Sequence, residues 1–85
     1  MNIRIVLVDD HRIVRESLAN LLAKQTDFQV VGQAEDGRAA LRLVEELKPR
    51  VVVMDVGMAG LNGIDATRQV LELVPEVRVI GLSMH

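Results

Sequence analysis

The sequence predicts an α/β domain in which a doubly wound parallel sheet carries helices on both faces. Four short apolar runs rich in β-branched residues alternate with segments of helical periodicity along the 85 residues. Strict β-α alternation with short connections implies right-handed crossovers between parallel strands. The third run, residues 51–54, is apolar without interruption, which is typical of a strand buried on both sides.

The first strand and helix are predicted within residues 3–24. Ile3–Val8 forms a β-like run that ends at Asp9 and Asp10. Between residues 11 and 24 the apolar positions follow the three-and-four spacing of an amphipathic helix, and Asp10 is placed to cap it. The apolar positions are Ile13, Val14, Leu18, Leu21 and Leu22.

A second strand and helix follow in the same order. Phe28–Ala34 is β-like, and Glu35-Asp36-Gly37 reads as a turn with a helix cap. The helical stripe that follows consists of Ala39, Ala40, Leu41, Val44 and Leu47. This helix should end at Lys48-Pro49, because proline disfavours helical geometry in the residue before it.

The third unit begins with the apolar run 51–54 and ends on another acid, Asp55. A loop containing Gly57, Gly60 and Gly63 precedes a helical segment that must finish before Pro75. Residues 77–82 form the fourth predicted strand. They are apolar apart from one charge at Arg78, so we expect an uncovered edge that can pair with another chain.

Composition narrows the function classes. The chain is 49% hydrophobic and 26% charged, which fits one small globular domain. It has no cysteine, so disulfides and thiol chemistry are excluded. Neither a signal peptide nor an apolar run near the roughly 18 residues of a membrane span is present, so we expect a cytoplasmic protein with no membrane association. A net charge of −2 and a single aromatic residue argue against direct nucleic-acid binding.

Three acids carry the predicted chemistry. Asp9 and Asp10 follow the first strand, and Asp55 follows the third. Ligands of open α/β sheets bind outside the carboxyl ends of the strands, and a 2-1-3-4 strand order would bring these carboxylates together. Their repulsion calls for protonation or a bound cation, and an all-oxygen donor set favours Mg²⁺. A carboxylate beside Mg²⁺ can attack a phosphoryl group.

These motifs resemble those of the receiver domain of two-component response regulators, especially regulators with a LuxR/NarL-type helix-turn-helix output domain. The resemblance rests on Ile5-Val6-Leu7-Val8-Asp9-Asp10-His11, on Met54-Asp55, on residues 56–63 and on Gly81-Leu82-Ser83-Met84-His85. It covers the whole chain in the expected order. It implies a flavodoxin-like fold, here without the fifth strand and the last two helices.

The resemblance also assigns roles to individual residues. Asp55 would accept a phosphoryl group from a partner histidine kinase. Asp10 would bind Mg²⁺ directly, Asp9 mainly through water, and the carbonyl of Gly57 would be a further ligand. Ser83 matches the hydroxyl that turns toward the phosphoryl group on activation.

The resemblance makes residues 1–85 a partial receiver domain. The family's phosphate-binding lysine, its aromatic switch residue and its last elements are expected beyond His85. Contact with DNA would come only through an absent carboxy-terminal helix-turn-helix domain, and the function would be signalling rather than enzymatic.

Three alternatives stay open. The chain could be a self-association module that pairs through the uncovered fourth strand without being phosphorylated. It could also be an Mg²⁺-dependent phosphatase with an aspartate nucleophile, although such haloacid-dehalogenase-like enzymes need a second aspartate where Gly57 stands. His11 could be a metal ligand, but a solvent-facing position in the first helical turn is favoured.

Overall fold

The fold contains the seven predicted elements in the predicted order. The structure, a computed structural model, describes residues 2–55 and 63–82, with the backbone alone at Gly63 and Ile64. The elements are β1 (Ile3–Val8), α1 (Arg12–Ala23), β2 (Phe28–Ala34), α2 (Gly37–Leu47), β3 (Val51–Asp55), α3 (Gly63–Leu73) and β4 (Arg78–Leu82). The observed bounds differ from the predicted segments by about one residue: α1 lies inside the predicted 11–24, β3 includes Asp55 after the apolar run 51–54, and β4 begins at Arg78 instead of residue 77.

The four strands form one parallel sheet in the order β2-β1-β3-β4, as predicted. β1 pairs with β3 from Ile5↔Val51 to Val8↔Met54. On its other side β1 pairs with β2, with a shift in register after Ile5. This order places the carboxyl ends of β1 and β3 side by side, which is the geometry that the acid cluster needs.

The main core lies between the sheet and the helices α2 and α3. Val6 of β1, Val52 and Met54 of β3, Val44 of α2 and Val70 of α3 belong to one buried cluster. Strand residues alternate between the two faces of a sheet, so Val51 and Val53 point away from this core, and both are only half-buried. The expectation that β3 is buried on both sides is therefore confirmed for one face only.

Helix α1 packs on the opposite face, against β1 and β2. Arg15 Nε donates to Gln33 Oε1 at 3.1 Å, and Gln33 is the β2 partner of the buried Leu7. No residue of α1 is buried. Ile13 and Leu21 of the predicted apolar stripe are exposed, Ile13 at 80%, because helical spacing defines a face without defining what covers it.

The helix ends explain where α1 and α2 start and stop. Asp36 accepts a hydrogen bond from the backbone N–H of Ala39 at 2.8 Å, so the predicted cap of α2 is confirmed. At the other end of α2, Lys48 adopts a left-handed conformation with φ 47° before Pro49. The predicted cap of α1 was wrong: His11, rather than Asp10, is the N-cap residue.

Strand β4 forms an edge of the described sheet, pairing with β3 alone. Its residue Ile80 is 50% exposed. Among the helices of residues 2–55 and 63–82, none combines the length and the apolar character needed to cross a bilayer.

Candidate functional site

The three predicted acids meet at the carboxyl edge of the sheet. Asp9 directly follows β1, and its backbone N–H donates to the Ala34 carbonyl of β2 at 3.0 Å. Asp55 is the last residue of the neighbouring strand β3. Because Val8 pairs with Met54, the next residues, Asp9 and Asp55, stand beside each other at the ends of adjacent strands.

Two of the three carboxylates are buried. Asp9 and Asp55 are each 3% exposed, whereas the side chain of Asp10 is 39% exposed. Asp9 Oδ1 accepts the backbone N–H of His11 at 2.7 Å. Asp9 Oδ2 is buried and has no hydrogen-bond partner among the described residues. A buried carboxylate oxygen without a partner is destabilising, so this oxygen is a candidate ligand atom.

His11 lies at this cluster although its side chain is largely exposed to solvent, as predicted. Its side chain is 63% exposed, yet Nδ1 lies 3.0 Å from Asp9 Oδ1, 3.0 Å from Asp10 Oδ1 and 3.8 Å from Asp55 Oδ2. The hydrogen bond to Asp9 and the negative charge of Asp10 raise the pKa of His11 above its ordinary value of 6.5. The sequence contained the signal, because His11 directly follows the acid pair.

The donor atoms are close enough to share one cation. One ligand atom each from Asp9, Asp10, His11 and Asp55 can be chosen so that all lie within 4.8 Å of one another. The carboxylate oxygens suit a hard cation such as Mg²⁺, and the unpartnered Asp9 Oδ2 supplies a further donor. The residues present therefore fit a divalent cation.

Arg15, which the sequence analysis did not single out, binds the backbone at Asp9, directly after β1. Its Nη1 donates to the backbone carbonyl of Asp9 at 2.8 Å, while its Nε is held by Gln33. The guanidinium thus ties the residue after β1 to α1 and β2. An arginine one helical turn after His11 was the available signal, but its target is a main-chain atom that no sequence motif identifies.

Two predicted site residues, Gly57 and Ser83, lie outside the described residues. The structure does show that Leu82, the residue before Ser83, pairs with Asp55.

A separate cavity of about 450 Å³ opens at the opposite, amino-terminal edge of the sheet, lined in part by Arg4, Lys48 and Arg50. Arg4 Nη1 donates to the Leu47 carbonyl at 2.6 Å, so this arginine satisfies the carboxyl end of α2. The acid cluster is therefore the better candidate for chemistry.

Comparison with known proteins agrees with this geometry. The response regulator receiver domain family matches residues 5–85. This chain belongs to that family. The receiver chain is 43% identical over 83 residues to the transcriptional regulatory protein DegU of Brevibacillus brevis, covering 98% of this chain and 35% of DegU. It is 46% identical over 82 residues to the response regulator GacA of Pseudomonas aeruginosa, covering 96% of this chain and 38% of GacA.

A solved structure extends the agreement to the fold. The two-component response regulator of the LuxR family from Aurantimonas sp. superposes with a TM-score of 0.93 at 40% identity, covering all of this chain and 61% of that one. The predicted receiver family and its flavodoxin-like sheet order are confirmed. The chain spans little more than a third of the length of the two curated relatives.

Proposed function

We propose that this receiver chain accepts a phosphoryl group on Asp55, with a divalent cation held by Asp9, Asp10 and the carbonyl of Gly57. The observation that carries the proposal is the convergence of three acid side chains at the ends of β1 and β3, one of them with a buried oxygen that has no partner among residues 2–55 and 63–82. Family membership supports it, because the match to the receiver domain family spans residues 5–85 and so includes these positions.

The chemistry follows from the arrangement of charges. An oxygen of the Asp55 carboxylate attacks phosphorus, the bond from phosphorus to the donor nitrogen or oxygen breaks, and that atom keeps the electron pair. Mg²⁺, when bound, offsets the negative charge that otherwise keeps a phosphodonor away. Asp55 is nearly buried, so its surroundings limit the access of water to the acyl phosphate.

The upstream and downstream parts of the proposal come from the family. A histidine kinase would be the phosphodonor, Ser83 would supply a hydroxyl to the phosphoryl group, and a DNA-binding output domain would be the controlled element. DegU is a transcriptional regulatory protein, and the solved LuxR-family structure is that of a two-component response regulator. We therefore propose a cytoplasmic signalling role rather than an enzymatic one.

The test is intact-mass spectrometry after incubation with Mg²⁺ and acetyl phosphate. We expect the gain of one phosphoryl group, lost in Asp55→Asn and in chelator-treated protein. Asp27→Asn is the matched control, because Asp27 is an exposed acid just before β2, at the opposite edge of the sheet. Absence of phosphorylation in protein whose fold is verified by circular dichroism would refute the proposal, as would equal phosphorylation of the Asp55 variant.

Self-association through β4 is the second candidate function. It is favoured by the position of β4 at the sheet edge and by the 50% exposure of Ile80, since uncovered apolar edges pair with other chains. Light scattering should show a dimer that Ile80→Lys abolishes. Leu73→Lys changes a comparably exposed leucine of α3 and should leave the dimer intact. A stable monomer at high concentration would contradict this candidate.

A further inference from the structure

The connection between β1 and α1 carries two of the three acids. It consists of Asp9, Asp10 and His11, which lie between the last residue of β1 and the first residue of α1. Asp55, by contrast, is part of β3 and is paired with Leu82 of β4. Asp10 has a side chain that is 39% exposed, and it belongs neither to the described core nor to the described strand pairs. The direction of its carboxylate therefore depends on the backbone of this connection.

Arg15 of α1 holds this backbone at one atom. Its Nη1 donates to the Asp9 carbonyl oxygen at 2.8 Å, and this carbonyl shares one planar peptide unit with the backbone nitrogen of Asp10. On its amino side, Asp9 is held by the hydrogen bond from its own N–H to the Ala34 carbonyl, at 3.0 Å. Because both ends of Asp9 are held, rotation of the Asp9–Asp10 peptide is restricted, and so is the direction in which Asp10 presents its side chain.

Arg15 is itself held in place by two further hydrogen bonds. Its Nε donates to Gln33 Oε1 of β2 at 3.1 Å, and its backbone N–H donates to the His11 carbonyl at 2.9 Å. The guanidinium is planar and rigid, so the bond to Gln33 also fixes the direction of Nη1. Arg12, the other arginine of α1, bonds Glu16 on the same helix at 3.0 Å. The side chain of Arg15 therefore joins the sheet to the connection that carries the acids.

We propose that Arg15 is a positioning residue of the cation site. By holding the Asp9–Asp10 peptide, it keeps the Asp10 carboxylate close to that of Asp55, where one oxygen from each lies within 4.8 Å of the other. The inference rests on the proposed function and deepens it, since it assigns the arrangement of the ligands to a side chain that binds a main-chain atom.

The positive charge of Arg15 makes two possible effects of its removal opposite in sign. A guanidinium near a cation site repels the cation, so loss of the charge alone should tighten cation binding. Loss of a positioning bond should weaken cation binding, because residues that orient the ligands of a metal contribute to its affinity. The direction of the change therefore distinguishes positioning from charge.

The test is isothermal titration calorimetry of Mg²⁺ into the whole chain and into folded variants checked by circular dichroism. We expect Arg15→Ala to weaken Mg²⁺ affinity about tenfold, as the loss of a residue that orients a ligand does. Gln33→Ala should weaken it less, because Arg15 Nη1 keeps its own acceptor. The double variant should bind no more weakly than Arg15→Ala, because the two residues act through the same bond to Asp9.

Arg12→Ala is the matched control, because it removes the same charge from the same helix and should not weaken Mg²⁺ binding. A variant that has lost stability but is still folded at the temperature of the titration keeps its Mg²⁺ affinity. A merely structural role of Arg15 would therefore lower Tm without changing the affinity.

The outcomes separate this inference from the proposed function. If Arg15→Ala binds Mg²⁺ as tightly as the natural chain, or more tightly, the positioning role is refuted and the cation site stands. If Arg12→Ala weakens binding as much as Arg15→Ala, the effect belongs to α1 at large and the inference is overturned. If Arg15→Ala does not fold, Gln33→Ala decides: weaker binding supports the inference and unchanged binding overturns it. If the natural chain binds no Mg²⁺, the cation site itself fails, and the proposed function with it.

Discussion

Replacing Asp9 by asparagine should stabilise the chain in the absence of divalent cations. Asparagine keeps the shape of the side chain and an oxygen that can accept the His11 backbone N–H, now held at 2.7 Å. The buried Oδ2, which has no partner within the described part of the chain, can be replaced by an amide nitrogen that donates to the neighbouring carboxylates. The substitution also removes one of three negative charges from the site.

The size of the effect follows from the spacing of the charges. Asp9 and Asp55 offer oxygens within 4.8 Å of each other, and two full charges at that distance repel by about 3.5 kcal/mol at an effective dielectric constant of about 20. Nearby His11 and solvent around Asp10 reduce this value. We therefore expect a net gain of about 1–2 kcal/mol, and each kcal/mol raises Tm by about 4–8 °C in a domain of this size.

Thermal unfolding followed by circular dichroism, in chelator-treated buffer, measures the difference. Asp27→Asn changes the net charge equally at the opposite end of the sheet and should leave Tm nearly unchanged. Added Mg²⁺ should raise Tm of the natural chain by binding the folded state, and should raise that of Asp9→Asn less. A Tm for Asp9→Asn at or below that of the natural chain without cations would refute the reasoning that these acids oppose one another.

Three further predictions concern the cap of α2, the core beneath the site and the histidine. Asp36→Ala removes the side-chain bond to the Ala39 N–H and should destabilise the chain by about 1 kcal/mol in urea unfolding, with Asp36→Ser retaining most of the stability. Met54→Ala, at a residue with 0% exposure, should lower the free energy of unfolding by about 2–5 kcal/mol; a loss below about 1 kcal/mol would contradict its core position. NMR titration without metal should give His11 a pKa above 6.5, lowered by Asp9→Asn. The resulting stabilisation is complete below pH 6.5 and is lost as the pH rises through the folded-state pKa.

The fold and the acid cluster could be predicted because both follow from patterns in short segments. Two apolar strand segments are each followed by an acid, which placed Asp9 and Asp55 at the carboxyl ends of β1 and β3. The 2-1-3-4 strand order then makes these two ends neighbours. Burial was harder to predict. Of the predicted apolar face of α1, Val14, Leu18 and Leu22 are half-buried. Ile13 is 80% exposed and Leu21 is also exposed, since packing depends on which elements cover a face.

The errors at the site came from backbone geometry that sequence does not specify. Asp10 was predicted to cap α1, but the chain turns one residue later and His11 becomes the N-cap. The N–H of His11 is instead bound by Asp9 Oδ1. That hydrogen bond holds the backbone nitrogen of His11 next to Asp9, and the imidazole lies beside the carboxylates of Asp9 and Asp10. Spacing alone treats a residue at a helix start as solvent-facing, so it missed this contact.

Asp9 and Asp55 follow buried strand residues, and this limits how the repulsion between the two carboxylates can be relieved. Val8 and Met54, the residues just before Asp9 and Asp55, are among the most buried in the chain, and each belongs to the core packed by α2 and α3. Moving either acid backbone would disturb that core, which close packing resists. The strand ends therefore cannot separate to relieve the charge. What remains is a proton, a bound cation or the imidazole of His11, whose exposed side chain can move without disturbing the core. This is why we expect the chemistry of the site, more than its shape, to respond when the charge on Asp55 changes.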